Sequence, residues 1–318
     1  MDYTTLGQTG LKVGVAGLGC GGNSKIGVAG TGQSNTDSIA LIHRALDLGV
    51  NFLDTARAYG TEQVVGEAIR TVPRDSVIVS SKHQAGPKVT AAALAAEIDA
   101  SLRDLQTDYV DIFHLHGVHP EHYDRALNDL VPVLLQARDA GKIRFLGITE
   151  TSPNDHGQTM LSRAAGDGCW DVMMLGFNMM HQVARTALLP QTMEHRIGTL
   201  IMFAVRNLFS VPGRLQETMR ALAADGRVAD WLAESDDPLG FLVHPEDGGA
   251  ASVIEAAYRY ARHEPGADVV LFGTGKIAHL EANIASILKP PLPAADTARL
   301  AELFGHLQGV GLDLPGAG

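Results

Sequence analysis

Cysteine is scarce in this 318-residue sequence: Cys20 and Cys169 are the only two, far apart and in unlike settings. Such a pair makes neither a disulfide framework nor a zinc-binding spacing, so a reducing, cytoplasmic setting is expected. Basic residues are also in short supply. Twenty-five lysines and arginines stand against 36 acidic residues, a net charge of −11. A phosphate-binding face needs a basic surplus, so no nucleic-acid partner is expected, and the acidic excess favours solubility. No apolar run reaches the ~20 residues that span a bilayer. The first residues, Met1-Asp2-Tyr3-Thr4, lack the basic and apolar character of a signal segment. No membrane association is expected. No stretch rich in Pro, Gly or Ser divides the chain, and no repeat beyond a β/α unit is visible. A single domain over 1–318 is the expectation, and a hydrophobic fraction of 45% suits one large packed core. Oligomeric state leaves no mark in the sequence.

What is present is alternation. Two short runs flank Gly7-Gln8-Thr9-Gly10 and predict a hairpin over 3–16. Strands are then expected at 13–18, 51–54, 77–82, 109–116, 142–149, 171–177, 198–204 and 268–272. Helices are expected between them at 37–48, 62–70, 90–105, 122–140, 155–165, 183–195, 250–263 and 276–288. Residues 206–249 form a long insert after the seventh strand, with a helix near 213–224. Lys289-Pro290-Pro291-Leu292-Pro293 ends the last helix and starts a tail over 290–318. Eight strands alternating with helices predict a (β/α)8 TIM barrel, with the hairpin closing its lower end. Gly17-Leu18-Gly19-Cys20-Gly21-Gly22 matches G-x-G-x-x-G, but the glycines that follow cannot support the helix a dinucleotide fingerprint needs.

The chain is organised around Asn51–Gly60, N-F-L-D-T-A-R-A-Y-G. A short apolar strand exits on Asp54, and Tyr59 follows in the loop. The next two strands exit on Lys82 and His116. An acid, a phenol, an amine and an imidazole therefore gather at the rim where a parallel barrel collects its reacting groups. A free phenol, with a pKa of roughly 10, is a poor acid near neutrality. A neighbouring Lys82 ammonium would stabilise the phenolate, and Asp54 would keep a buried Lys82 charged. His116 would orient a substrate oxygen or tune the phenol. Each residue has a bland reading: a structural ion pair, a turn tyrosine, a satisfied core histidine. Their coincidence at adjacent strand exits favours chemistry.

These motifs resemble those of the aldo-keto reductase superfamily over nearly the whole chain. N-F-L-D-T-A-R-A-Y-G is similar to that family's first signature. S-S-K at 80–82, D-Y-V-D-I-F-H-L-H at 108–116, G-K-I-R-F-L-G-I-T at 141–149 and F-G-T-G-K-I-A-H-L-E-A-N at 272–283 follow in the family's order. The resemblance implies NADPH-dependent reduction of aldehydes or ketones to alcohols, or the reverse. It assigns Tyr59 as general acid, Lys82 and Asp54 as its tuning pair, and His116 as the group orienting the carbonyl. NADP(H) is favoured over NAD(H), with Lys276 toward the 2′-phosphate and His279 and Asn283 toward the adenosine. Gly273 and Gly275 leave room for phosphate at a helix start, which is physically apt for an anion. Phe203 falls where an aromatic stacks on nicotinamide. Ala204 and Arg206 follow in A-V-R-N, with Arg206 facing the pyrophosphate, a substrate anion or solvent.

The sequence departs from the family at Thr149-Glu150, where Ser-Asn is usual, and at Met174, where a glutamine is usual. An ionised Glu150 side chain cannot donate a hydrogen bond, and Met174 offers no amide. Two other classes compete. His114 and His116 share one strand face and, with His119, suggest a metal-dependent barrel hydrolase, although a full ligand set is missing. A non-catalytic nucleotide-binding sensor or subunit is the third. No metal is expected in the favoured reading. Substrate choice would fall to rim loops at 23–33, 117–123 and 206–249 and to the tail. Leu208, Phe209, Trp231, Leu239 and Phe241 of the insert supply either an apolar wall or packing.

Overall fold

Eight short apolar segments lie side by side and close on themselves. In the computed structural model, which describes residues 1–22, 24–28, 34–152 and 154–313, an antiparallel hairpin comes first: β1 (Tyr3–Thr5) and β2 (Lys12–Gly14). The barrel strands follow as β3 (Ala16–Gly19), β4 (Phe52–Asp54), β5 (Ile78–Gln84), β6 (Val110–His116), β7 (Ile143–Thr149), β8 (Val172–Gly176), β9 (Gly198–Met202) and β10 (Val269–Phe272). All eight pair in parallel, in chain order, and β10 returns to β3 to close the barrel. Near-continuous burial along β6 and β8 explains their unbroken apolar character, because both faces are covered.

The period of two divides each strand between two layers. On β5, Val79 faces the helices while Ile78 faces the barrel interior. Leu6, Leu11 and Val13 of the hairpin pack against Phe52, Ile78 and Val172 inside the barrel. The hairpin thus closes the lower end. Each fully buried side chain of this size contributes about 1.5–3 kcal/mol relative to exposure.

The helices confirm the alternation and correct its details. Ser34 and Asp37 form a capping box at the start of the helix Asn35–Asp47. Thr90 accepts from the Ala93 N–H and caps Ala91–Leu105. The helix expected over 122–140 is interrupted by a π turn at Ala126–Leu130, which ends two residues before Pro132. The helix expected over 183–195 splits into Ala184–Ala187 and Leu189–His195 around Pro190. The expected helix over 155–165 starts late, at Thr159, because the Asp155 carboxylate accepts from the Thr159 and Met160 N–H groups. The tail contains an unforeseen helix, Ala294–Phe304, that begins after Pro293 and buries Leu300 and Phe304. No helix of the described residues is long and apolar enough to cross a membrane. The rim loop expected at 23–33 lies outside the described residues at 23 and 29–33, as does the Gly-Ala-Gly end of the tail within 314–318.

Candidate active site

Asp54, Ser80 and Lys82 share the inward face at adjacent strand exits. The Lys82 Nζ donates to both Asp54 oxygens, at 2.6 and 2.7 Å, and to the Thr55 carbonyl at 2.9 Å. Ser80 donates to the same carboxylate at 2.8 Å. Lys82 is wholly buried. Burial alone would strip its proton, but the Asp54 charge and the Tyr59 phenol outweigh that cost, and its pKa lies above the ordinary lysine value.

Tyr59 reaches this pair from the short turn Arg57–Tyr59, which Gly60 ends in a left-handed conformation at φ 70°. Lys82 Nζ lies 5.1 Å from the Tyr59 ring centre. Gly21 is the price of that approach: a Cβ there would stand 2.4 Å from the ring. Burial raises the Tyr59 pKa, Lys82 pulls it back, and Asp54 adds to the rise. His116 meets the Tyr59 ring edge to face, with centroids 5.7 Å apart. Burial, and then the Lys82 charge, push the His116 imidazole down to about 3, so the ring is neutral at ordinary pH. Cys20, which the sequence did not single out, is buried in the same electrostatic neighbourhood. Burial pushes its thiol up, which makes it a poor nucleophile. Ser80 was also missed, although a period of two places it on the Lys82 face.

His114 lies one layer below His116. It packs so tightly over β7 that a Cβ at Gly147 would stand 2.1 Å from its Nδ1. Among the described residues no group of three His, Cys, Asp or Glu side chains is placed to hold a metal ion. His119 instead lies 3.3 Å from the Thr151 hydroxyl.

The other sequence-selected residues lie at the end of β7, on β8, after β9 and after β10. Thr149 accepts from the Gly117 N–H at 2.7 Å and donates to the Glu150 carbonyl. Glu150 is buried. Its Oε1 accepts from the Gly176 N–H and the Ser152 hydroxyl, both at 2.7 Å. Burial pushes this carboxyl up to about 7, against the hydrogen bonds from Ser152, Gly176 and Gln158. Met174 lies in the apolar interior layer with Leu200, so this position is packing. Phe203 adopts φ 65°, a strained conformation for a residue with a side chain, and Ala204 beside it is buried. Arg206 is not a solvated loop residue. Its guanidinium stacks 4.9 Å from the Phe203 ring centre and donates to the Asp313 carbonyl of the tail, while its Nε is buried with no acceptor.

Gly273 and Gly275 follow β10, and Lys276 is the N-cap of the helix Ile277–Ile287. Lys276 and His279 are exposed, and Asn283 is half-exposed one turn on. A Cβ at Gly273 would stand 3.3 Å from the Gly19 carbonyl. An exposed first helical turn with a lysine at its cap fits an anionic group. Of the insert residues, Leu208 and Leu239 are buried core, Phe209 and Phe241 pack against it, and Trp231 stays 45% exposed.

The profile of the aldo/keto reductase family matches residues 17–304. The chain belongs to this family. It is therefore an oxidoreductase of the aldo-keto reductase type. Aldo-keto reductase YhdN of Bacillus subtilis is 30% identical over 304 residues, covering 89% of this chain and 87% of that one. L-galactose dehydrogenase of Arabidopsis thaliana is 35% identical over 157 residues, 47% of this chain and 48% of that protein. Among solved structures, the holo form of an aldo-keto reductase from Bacillus halodurans superposes with a TM-score of 0.73 at 20% identity, covering 98% and 100% of the two chains. An aldo-keto reductase of Klebsiella pneumoniae in complex with NADPH superposes with a TM-score of 0.70 at 24% identity, covering 99% and 100%.

Proposed function

We propose that this aldo-keto reductase reduces the aldehyde or ketone group of a small molecule to an alcohol, or runs the reverse, with Tyr59 as proton donor. The observation that carries the reading is the buried Lys82–Asp54 pair beneath the Tyr59 ring, with His116 at the ring's edge. Family membership supports it, as does the NADPH-bound Klebsiella pneumoniae relative of the same fold. NADPH, when bound, supplies the hydride. Gly273, Lys276 and the first turn of Ile277–Ile287 would hold its adenosine phosphate end, and Phe203 would stack on its ring.

The chain's own groups handle the proton. Tyr59 keeps its hydroxyl protonated because burial raises its pKa. As the proton moves to a substrate oxygen, the phenolate forms beside an ammonium that Asp54 keeps charged. Neutral His116 offers the same oxygen an N–H. Proton donation of this kind is worth about 10²–10⁴-fold in rate. The Thr149 hydroxyl and the Glu150 Oε1 are taken by protein groups, so they give little grip on the nicotinamide end of the cofactor.

Titration of chelator-treated protein with NADPH and NADH, followed by tryptophan fluorescence, tests this reading. Saturable binding that prefers NADPH is expected, followed by turnover with an aldehyde and ketone panel. Binding of neither cofactor would overturn it.

A further inference from the structure

Behind the Tyr59–Lys82 pair lies a second set of polar groups. Ser81 precedes Lys82 on β5 but faces the opposite way, toward the helices, and its hydroxyl donates to Glu62 Oε1 at 2.6 Å. The other Glu62 oxygen accepts from Arg57 at 2.5 Å, and Arg57 opens the turn that carries Tyr59. Glu62 is 3% exposed and Ser81 wholly buried. Arg57 also donates from its Nε to Glu97 at 3.0 Å and, from the nitrogen that meets Glu62, to Asp104, both on Ala91–Leu105. One carboxylate therefore reaches the residue two before Tyr59 and the residue one before Lys82.

We infer that Glu62 is a positioning residue: its two oxygens buckle the Arg57–Tyr59 turn to β5 and so fix where the Tyr59 hydroxyl stands relative to Lys82. This rests on the reading of Tyr59 as proton donor. Without Glu62, the turn stays tied to Ala91–Leu105 through Arg57 but loses its link to β5 through Ser81, and keeps short backbone bonds, Tyr59 N–H to Ala56 at 3.0 Å and Gly60 N–H to Arg57 at 3.3 Å, and the Thr55–Thr61 hydroxyl contact at its base. A three-residue turn so held does not define a side-chain position to the tolerance that proton transfer needs.

The test compares Glu62→Gln, Ser81→Ala and Tyr59→Phe with the wild-type chain. Glu62→Gln removes the carboxylate charge from Arg57 and one of the two acceptor oxygens, and Ser81→Ala removes one arm while leaving the ion pair intact. The expected result is a kcat loss of about 10–100-fold for Glu62→Gln and a smaller loss for Ser81→Ala, with NADPH Kd within about twofold of wild type. The high-pH limb of carbonyl reduction should also move upward in Glu62→Gln, because Lys82 no longer offsets the burial of Tyr59. Wild-type kcat in both variants, with Tyr59→Phe inactive, would overturn the buckle and leave the proton donor standing. Loss of kcat and NADPH affinity in step, in both variants, would also overturn it, by assigning Glu62 to general packing. An active Tyr59→Phe enzyme would remove the proton-donor reading and the buckle with it.

Discussion

Lys82 and Asp54 form a two-point contact in which one ammonium meets both carboxylate oxygens, at 2.6 and 2.7 Å, with no access to solvent for the lysine. The pair holds a positive charge directly under the Tyr59 ring. Its cost is that neither partner tolerates removal of the other. Asp54→Asn leaves a buried cation without its counter-charge, which destabilises by about 3–5 kcal/mol. Urea unfolding at neutral pH measures this. A loss under about 1 kcal/mol, the range of exposed pairs, would mean that Lys82 is not buried as described.

Lys276 stands exposed at the cap of Ile277–Ile287, at the positive end of the helix dipole. Lys276→Ala should weaken NADPH about tenfold, the worth of a charge-assisted contact, and leave NADH almost unchanged. Paired fluorescence titrations read the difference. Equal weakening of both cofactors would remove the 2′-phosphate role.

Glu150 gives a prediction about pH. Burial raises its pKa in the folded state from the ordinary carboxyl value of 4.5 to about 7. The folded state therefore holds the proton more tightly than the unfolded chain does. The associated stability is full below about pH 4.5, falls as pH rises toward about 7, and is then gone, a change of roughly 3 kcal/mol. Glu150→Gln keeps an acceptor for the Gly176 N–H and the Ser152 hydroxyl but cannot ionise. It should flatten the decline in stability between pH 5 and about 8. An unchanged decline, by urea unfolding at both ends, would place the titrating group elsewhere.

The barrel, and the polar residues near its strand exits, were legible in the sequence for one physical reason. Each apolar run had to stop where its strand met the rim, and Asp54, Lys82 and His116 stand near those stops, with Ser80 and His114 one layer deeper on the same faces. Tyr59 was visible because Gly60 marked a turn just beyond Asp54. Pairings across the chain were not visible. The period of two turns Ser81 away from Lys82, but nothing local tells that it meets Glu62, or that Arg206 is held by the Asp313 carbonyl. Glu150 departed from the family pattern, and its partner, the Gly176 N–H, became evident only once β7 and β8 lay side by side. The helix Ala294–Phe304 was hidden by the prolines before it, which mark the end of one helix and the start of the next equally well.

The most direct test of the central claim is carbonyl-dependent NADPH oxidation by Tyr59→Phe beside the wild type, with NADPH affinity measured on the same samples. The account predicts a rate lower by about 10²–10⁴-fold with cofactor affinity unchanged. Reduction at the wild-type rate would contradict it.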